Sequence, residues 1–575
     1  SPEADQSSRL RALQYHFPQR GLPSLSTADA RFDREFDYIV IGAGTAGCVL
    51  AARLSEDRSH NVCLLEAGGS ELHPCISIPA AVGAAIMSRH FGWGLATVPQ
   101  PALGGRTVPL PRGKVIGGSG SINGMAYYRG PAADYDDWAA LGNPGWSYAE
   151  LLPYFLRSEH NPEYAGSPYH AVGGPMGVSF PSSRNRLCEA FNAGMAAHGY
   201  AELDDFNVPA PNGYGYRQGT IWKGRRVSTA SAYLRPAMTR TNLEVSQHTR
   251  VRRLLFDGPV AQGVEVQSRA GIERLRAYRE VILCGGTYHS PHILLNSGIG
   301  DQDDLRRWGV EPVHHLPAVG RNLRDHPAAP LAMEMDDATS YGLSWKATPR
   351  NLLQCFEYLF RRTGPLSSNL FETNAYIKSQ PHADRPDMQI VFQPARRNTR
   401  PFPIPLGHGF AAMAVCLYPK SAGAVTLAGP DPLLEPLIDP ALGQAEEDIQ
   451  MILHGLRFAR SVFAHEAFEQ YRAHEVLPGA DVTDDAALID HIRATLVTVH
   501  HAGSTCRMGP RGDNVVDSEL KVHGLERLRV ADASIYPRVV GANTNASVVA
   551  IAEKAADMIA GRPAPPPMRP VAHPE

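Results

Sequence analysis

Apolar residues recur along this chain in two rhythms, and each marks a different kind of unit. Residues 37–41 (Asp-Tyr-Ile-Val-Ile) form a short apolar run ending at a glycine turn, which predicts a strand buried on both faces. Gly47, Val49, Leu50 and Leu54 follow at helical spacing, and residues 61–65 form a second apolar run with Glu66 at its end. Strand, glycine turn, helix and strand make a βαβ opening. Residues 279–284 and 528–531 predict further buried strands, so one sheet draws on distant segments. The stretch 336–495 has another texture. It mixes strand-like runs at 388–392 and 410–417 with amphipathic helices at 449–463 and 484–495, which predicts a second lobe inserted into the first. Residues 170–228 are assigned to the same lobe. Near the end, Val549, Ala552, Ala556 and Ile559 place an apolar stripe on a helix at 548–560, with Asn545 as a favoured N-cap and Gly561 as its stop. Residues 1–35 are polar and are expected to wrap the surface, with a short helix at 10–16. The Pro-rich tail 562–575 cannot continue a helix. There is no internal repeat.

Composition narrows the function without naming it. A chain of 575 residues exceeds one ordinary core, so two or three lobes are expected. A net charge of −3 gives no electrostatic case for nucleic acid or an anionic membrane as a partner. No apolar run reaches the roughly 20 residues of a membrane span. The 8 cysteines are scattered without CxxC or zinc spacing, and Cys48, Cys63, Cys284 and Cys416 sit in apolar runs as buried thiols. That favours a reducing compartment, hence slightly the cytoplasm. A chain starting at Ser1 leaves a removed export signal open, with the periplasm or the exterior as its destination.

Gly42-x-Gly44-x-x-Gly47, with Thr45 and Ala46 inside it, has the residue types a dinucleotide pyrophosphate needs. The glycines permit a tight turn and close backbone approach, and the helix start offers N–H groups and a positive dipole end. Glu66 suits a bidentate hydrogen bond to ribose hydroxyls and would repel the extra phosphate of NADP. This motif alone does not choose between NAD and FAD.

Further motifs do. Gly113-Lys-Val-Ile-Gly117-Gly118-Ser119-Gly-Ser-Ile122-Asn123-Gly124-Met125-Ala126 is followed by Gly286-Thr-Tyr-His-Ser-Pro through Gly300, by Val319-Gly-Arg-Asn-Leu-Arg-Asp-His-Pro327 and by Arg529-Val-Ala-Asp532-Ala533-Ser534. In this order and spacing they resemble the glucose–methanol–choline (GMC) oxidoreductases over about residues 36–560. The resemblance implies FAD, with Asp532 and Ala533 on the flavin side of the pyrophosphate and Val251 at adenine. Further contacts to FAD are implied at Ala67, Trp93, Gly113, Gly117, Gly118, Ser119, Asn123, Gly124, Met125, Ala126, Gly285, Asn543 and Thr544. Ile122 stands where some relatives carry a tethering histidine, so the FAD is expected to be non-covalent.

The resemblance also assigns the catalytic pair. His501 lies eight residues before Gly509, the family's spacing for a base, and a neutral imidazole suits that role near pH 7. Asn543, eleven residues before Lys554, takes the second position, where an amide can hold the substrate oxygen without titrating. His500 is the neighbouring rival and is expected to line the pocket. Ser504 departs from the glycine many relatives carry, which puts the fine geometry beside His501 in question. No metal site is expected. Phe371, Phe392 and Phe402 are the substrate-pocket candidates.

The expected protein is of α/β class (α+β overall). Its Rossmann-like FAD-binding lobe is made of 36–169, 229–335 and 501–561, and its inserted substrate lobe, on an antiparallel sheet with helices, of 170–228 and 336–500. It would oxidise an alcohol, primary and aromatic or medium-chain, to the aldehyde by hydride transfer to flavin N5. Electrons would pass to O2 or a quinone-type acceptor. The alternatives are a lyase of the same fold, hydroxynitrile lyase in type, with redox-silent FAD, and a flavin-binding protein without turnover.

Overall fold

The computed structural model describes residues 31–397 and 405–569. The helix expected at 10–16 and the pocket candidate Phe402 lie outside the described residues. Two seven-stranded sheets organise the rest.

The first sheet is built on the predicted βαβ opening. Arg34–Ile41 pairs in parallel with Val62–Leu65 on one side and with Gly271–Leu283 on the other. Leu243–Ser246 and Leu528–Val530 extend the parallel part, while Arg250–Asp257 and Val260–Ser268 form an antiparallel extension with Gly271–Leu283. The central apolar residues, Ile39, Val40, Val62, Leu64, Val281 and Ile282, are buried. Each fully buried aliphatic side chain of this kind contributes about 1.5–3 kcal/mol. The glycine helix Thr45–Leu54 and the C-terminal helix Asn545–Ile559 pack together on this sheet, so two helix N-termini meet at one edge.

The second sheet runs His474–Leu477, Pro327–Glu334, Gly409–Cys416, Met388–Gln393, Thr373–Ile377, Gly213–Tyr216 and is antiparallel along this order. Arg186–Ala197, Glu446–Phe463 and Asp485–Thr495 bury their apolar stripes against it. The expected lobe boundary at 336 falls too late for this sheet, because its strand Pro327–Glu334 lies before it. Two prolines disguise that strand. Pro330 is tolerated because Val497–Thr498 pairs with residues 327–328 and His474–Leu477 with residues 332–334, leaving the proline in the gap, where no donor is required on that side.

Candidate active site

The first strand ends at Gly42, whose φ of +97° turns the chain sharply. A Cβ there would sit 2.6 Å from the carbonyl oxygen of Cys284, and one on Gly47 would sit 1.9 Å from that of Gly42. No side chain caps the glycine helix and its first turn holds no acid, so its leading N–H groups are left for a ligand. The C-terminal helix is likewise uncapped by any side chain. Asn545 is not its cap. It is the first helical residue, and its Oδ1 accepts from Thr45 Oγ1 at 2.9 Å, tying the two helix starts together.

Two further strips close over this cradle. Gly117 N–H donates to the Ala43 carbonyl at 2.6 Å, and a Cβ on Gly118 would lie 2.7 Å from Gly44 Cα. Glu66 is buried, with its carboxylate accepting from Ala43 N–H (3.0 Å) and Gly68 N–H (2.8 Å); burial nevertheless pushes it up to about 7. Thr249 and His248 N–H donate to the Glu66 and Gly68 carbonyls, which brings Val251 alongside that strand end. Asp532, also buried, accepts from Gly286 N–H, Ser290 Oγ and Ser534 N–H, and so fixes the start of the Gly286–Asn296 helix. Trp93 packs its ring on His289 at 4.1 Å.

The loop that carries His501 is held on both sides by backbone bonds. Gly503 N–H donates to the Arg324 carbonyl and Cys506 N–H to that of Ser534. Within it, Nε2 of His501 lies 2.8 Å from Nδ2 of Asn543, and Nδ1 of His501 lies 3.1 Å from Nδ1 of His326. Asp325 Oδ1 accepts the backbone N–H of both His501 (2.7 Å) and His326 (2.9 Å). Sequence reasoning matched Asp325 and His326 to a family motif without giving either a role. The signal was there, an Asp-His pair inside a motif, but its meaning depends on the apposition with His501.

All these imidazoles are buried, and burial disfavours their charged forms. His501 is pushed well below its ordinary value by burial first, then by His326, His500 and Arg112. Burial pushes His326 down to about 4, against the opposing pull of the Val540 and Leu417 carbonyls. His500, with φ +67° and Nδ1 3.2 Å from Thr498 Oγ1, is pushed down to about 3 by burial and by Arg112. Asp325 is pushed up to about 6 by burial. Ser504 adopts φ +74°, the left-handed region that glycine favours.

Of the aromatic candidates, Phe371 packs beside Met125 with Val82, Ile86 and Ile221, next to the strip at 123–126. Phe392 does not line a pocket. Its ring is fully buried in the second sheet's core, stacked on Phe191 at 4.8 Å, because odd and even positions of that strand face opposite sides and Phe392 falls on the helix-covered one. No group of residues able to hold a metal ion occurs among the described residues.

Family models described as GMC oxidoreductase match residues 36–328 and 419–552, and the chain belongs to that family. It is 38% identical to the alcohol dehydrogenase [acceptor] of Pseudomonas putida over 91% of this chain and 95% of the relative. It is also 38% identical to the mitochondrial choline dehydrogenase of Homo sapiens, over 95% of this chain and 93% of the relative. Among solved structures, pyridoxine 4-oxidase from Mesorbium loti superposes with a TM-score of 0.82 at 32% identity, over 92% of this chain and 99% of that one. The protein is thus an FAD-dependent oxidoreductase acting on CH–OH donors. Its residues fit that cofactor: two uncapped helix starts face one cradle, and glycines at 42, 47 and 118 let the backbone strips that form it pack where a Cβ would collide with neighbouring backbone. Ile122 is a buried aliphatic residue with no atom able to form a tether.

Proposed function

We propose that this protein oxidises primary alcohols bearing an apolar substituent, with His501 as the base and Asn543 holding the substrate oxygen. FAD, when bound, supplies the two-electron acceptor for the carbinol hydride. The observation that carries the reading is the line of nitrogens from Asn543 Nδ2 through His501 to His326.

With the Asn543 amide oriented so that Nδ2 faces His501, the protons along that line run in one direction. An amide N–H donates, so the Asn543 bond makes His501 Nε2 the acceptor and leaves the His501 proton on Nδ1. The Nδ1–H then donates to His326 Nδ1, which in turn keeps its own proton on Nε2. His501 therefore offers an unprotonated Nε2, and its lowered proton affinity keeps it neutral at pH 7. Substrate oxygen entering between the two side chains would donate its proton to Nε2 and accept from the Asn543 amide, which stabilises developing alkoxide charge. The resulting imidazolium keeps its Nδ1–H bond to His326. Asp325 holds both histidine backbones in register.

The apolar cluster of Val82, Ile86, Met125, Ile221 and Phe371 beside the strip at 123–126 favours an aromatic or medium-chain aliphatic substituent. Electrons leave to O2 or to a quinone-type acceptor. Mixing the flavoprotein anaerobically with a panel of alcohols tests the reading: substrates should bleach the flavin band, and His501→Ala should slow bleaching by several orders of magnitude. Turnover with persistent flavin colour would instead support a lyase, and re-oxidation by O2 or by a quinone would separate the two acceptors.

A further inference from the structure

The helix Thr348–Arg361 is amphipathic, but its apolar face points away from the protein. Leu352, Leu353, Phe356, Leu359 and Phe360 are 56–83% exposed, and Trp345, just before the helix, is 82% exposed. At 100° per residue these helical positions cover an arc of roughly 120°, wide enough to be a core-facing stripe. Only Tyr358 is buried, and it anchors the opposite face: its hydroxyl donates to the Gly224 carbonyl at 2.9 Å, and Arg362 lies over its ring.

Cations outnumber acids around this face, with Asp336 and Asp337 the exposed acids near its first turn. Lys346 and Arg361 stand exposed at the two ends of the helix, and Lys223 and Arg225 are exposed on the hairpin that touches it. Glu357, the one acid of the helix, is turned back to accept from Thr363 Oγ1 at 2.8 Å. From the helix the chain runs through Pro365–Ser367 to Asn369, whose amide donates to the Gly124 carbonyl at 2.6 Å, and to Phe371 beside Met125. The exposed face is therefore joined directly to the strip that borders the candidate active site.

We infer that this face lies on the surface of an anionic lipid bilayer. Leu, Phe and Trp on one side with Lys and Arg at the margin is the pattern of a helix lying in the membrane interface, and no helix among the described residues is long and apolar enough to cross a membrane. A second copy of the chain is a poorer occupant. A two-fold contact brings a patch against itself, so an antiparallel pairing sets Lys346 against Arg361 and a parallel one sets each against its own copy. Anionic headgroups neutralise the same margin. Docking in this way would turn the Gly364–Phe371 segment toward the lipid, from which an apolar alcohol or a lipid-soluble acceptor could be drawn.

The test uses the full-length flavoprotein with phosphatidylcholine vesicles and with vesicles of phosphatidylcholine mixed with phosphatidylglycerol. Cosedimentation should rise with phosphatidylglycerol content. L353E/F360E should lower the partition coefficient at least ten-fold on both vesicles while leaving the flavin spectrum and turnover of a water-soluble alcohol unchanged. K346E/R361E should abolish only the dependence on phosphatidylglycerol. Cys355, the exposed cysteine among the described residues, lies on the flank of the apolar arc, and a polarity-sensitive dye attached to it should shift to the blue on vesicle addition. Absence of cosedimentation, or wild-type partitioning by L353E/F360E, would overturn the proposal. So would a dimer in solution that L353E/F360E converts to monomer.

Discussion

His326→Leu isolates the part of the site that sets the base without touching substrate. In the proposed arrangement the 3.1 Å contact between the two Nδ1 atoms holds the His501 proton on Nδ1. Leucine removes the acceptor from a buried position. His501 must then leave its Nδ1–H unpaired, at a cost of about 1–3 kcal/mol, or move the proton to Nε2, where it blocks the lone pair the reaction needs. The first raises the energy of the competent tautomer and the second replaces it, so its population falls. Since about 1.4 kcal/mol is a factor of ten, kcat should fall by roughly 5- to 150-fold. KM should change little, because His326 does not contact the substrate oxygen in the proposed arrangement. His326→Gln should restore kcat to within a few-fold of wild type, since its amide oxygen can accept the same proton. Steady-state kinetics on FAD-replete protein, with flavin content and thermal midpoint as controls, reads all three. The tautomer argument fails if the leucine variant keeps kcat within two-fold, or if glutamine is as damaging as leucine.

The same geometry makes other outcomes definite. Asn543→Ala removes the donor to the substrate oxygen and should lower kcat by about 100- to 1,000-fold with flavin still bound, in single-turnover bleaching; unchanged bleaching would refute the role. Gly118→Ala drives a Cβ to 2.7 Å from Gly44 Cα, backbone that cannot swing aside, so the purified protein should show a reduced flavin-to-protein absorbance ratio. Buried His292 and half-buried His500 are pushed down to about 3 and buried His326 to about 4, so the native state stays neutral while the unfolded chain takes up protons below about 6.5. Their contribution is complete above pH 6.5 and lost as pH falls toward the folded values, about 1–2 kcal/mol each by pH 5; Glu66 and Asp325, pushed upward, act in the opposite direction. The thermal midpoint should therefore drop between pH 7 and 5, less steeply in His292→Gln, and equal slopes would contradict the assignment. Ser504→Gly relieves a φ of +74° and should raise the thermal midpoint, the net gain being about 0.5–1 kcal/mol after glycine's extra unfolded-state entropy; a lower midpoint would show that the hydroxyl, not the backbone, matters there.

What could be read from the sequence, and what could not, divides by the range of the interactions involved. The strands at 37–41 and 61–65 were legible because burial on both faces leaves a nearly continuous apolar run, and 528–531 was legible despite Arg529, whose guanidinium is paired with Glu280. Gly271–Leu283 was legible only in its last residues. Upstream, charged Glu273, Arg274 and Arg276 alternate with buried Leu275 and Ala277 in the antiparallel extension, where the sheet no longer has two covered faces. Pro327–Glu334 was hidden because a proline's fitness in a strand depends on what its neighbours leave unpaired, and those neighbours lie beyond residue 470. The site divides in the same way. His501 and Asn543 were assigned through the family resemblance, by their distances to Gly509 and Lys554, whereas His326, which meets His501, is 175 positions away from it. Asn545 reads locally as a cap, yet its oxygen is claimed by Thr45, 500 positions earlier. The helix Thr348–Arg361 inverts the usual inference: periodicity alone would assign its Leu and Phe stripe to the core, and only the fold reveals that the core-facing residue is Tyr358. An amphipathic period reports that a helix has two faces. Which face meets protein is decided by contacts such as the Tyr358–Gly224 hydrogen bond, made across 134 positions of the chain.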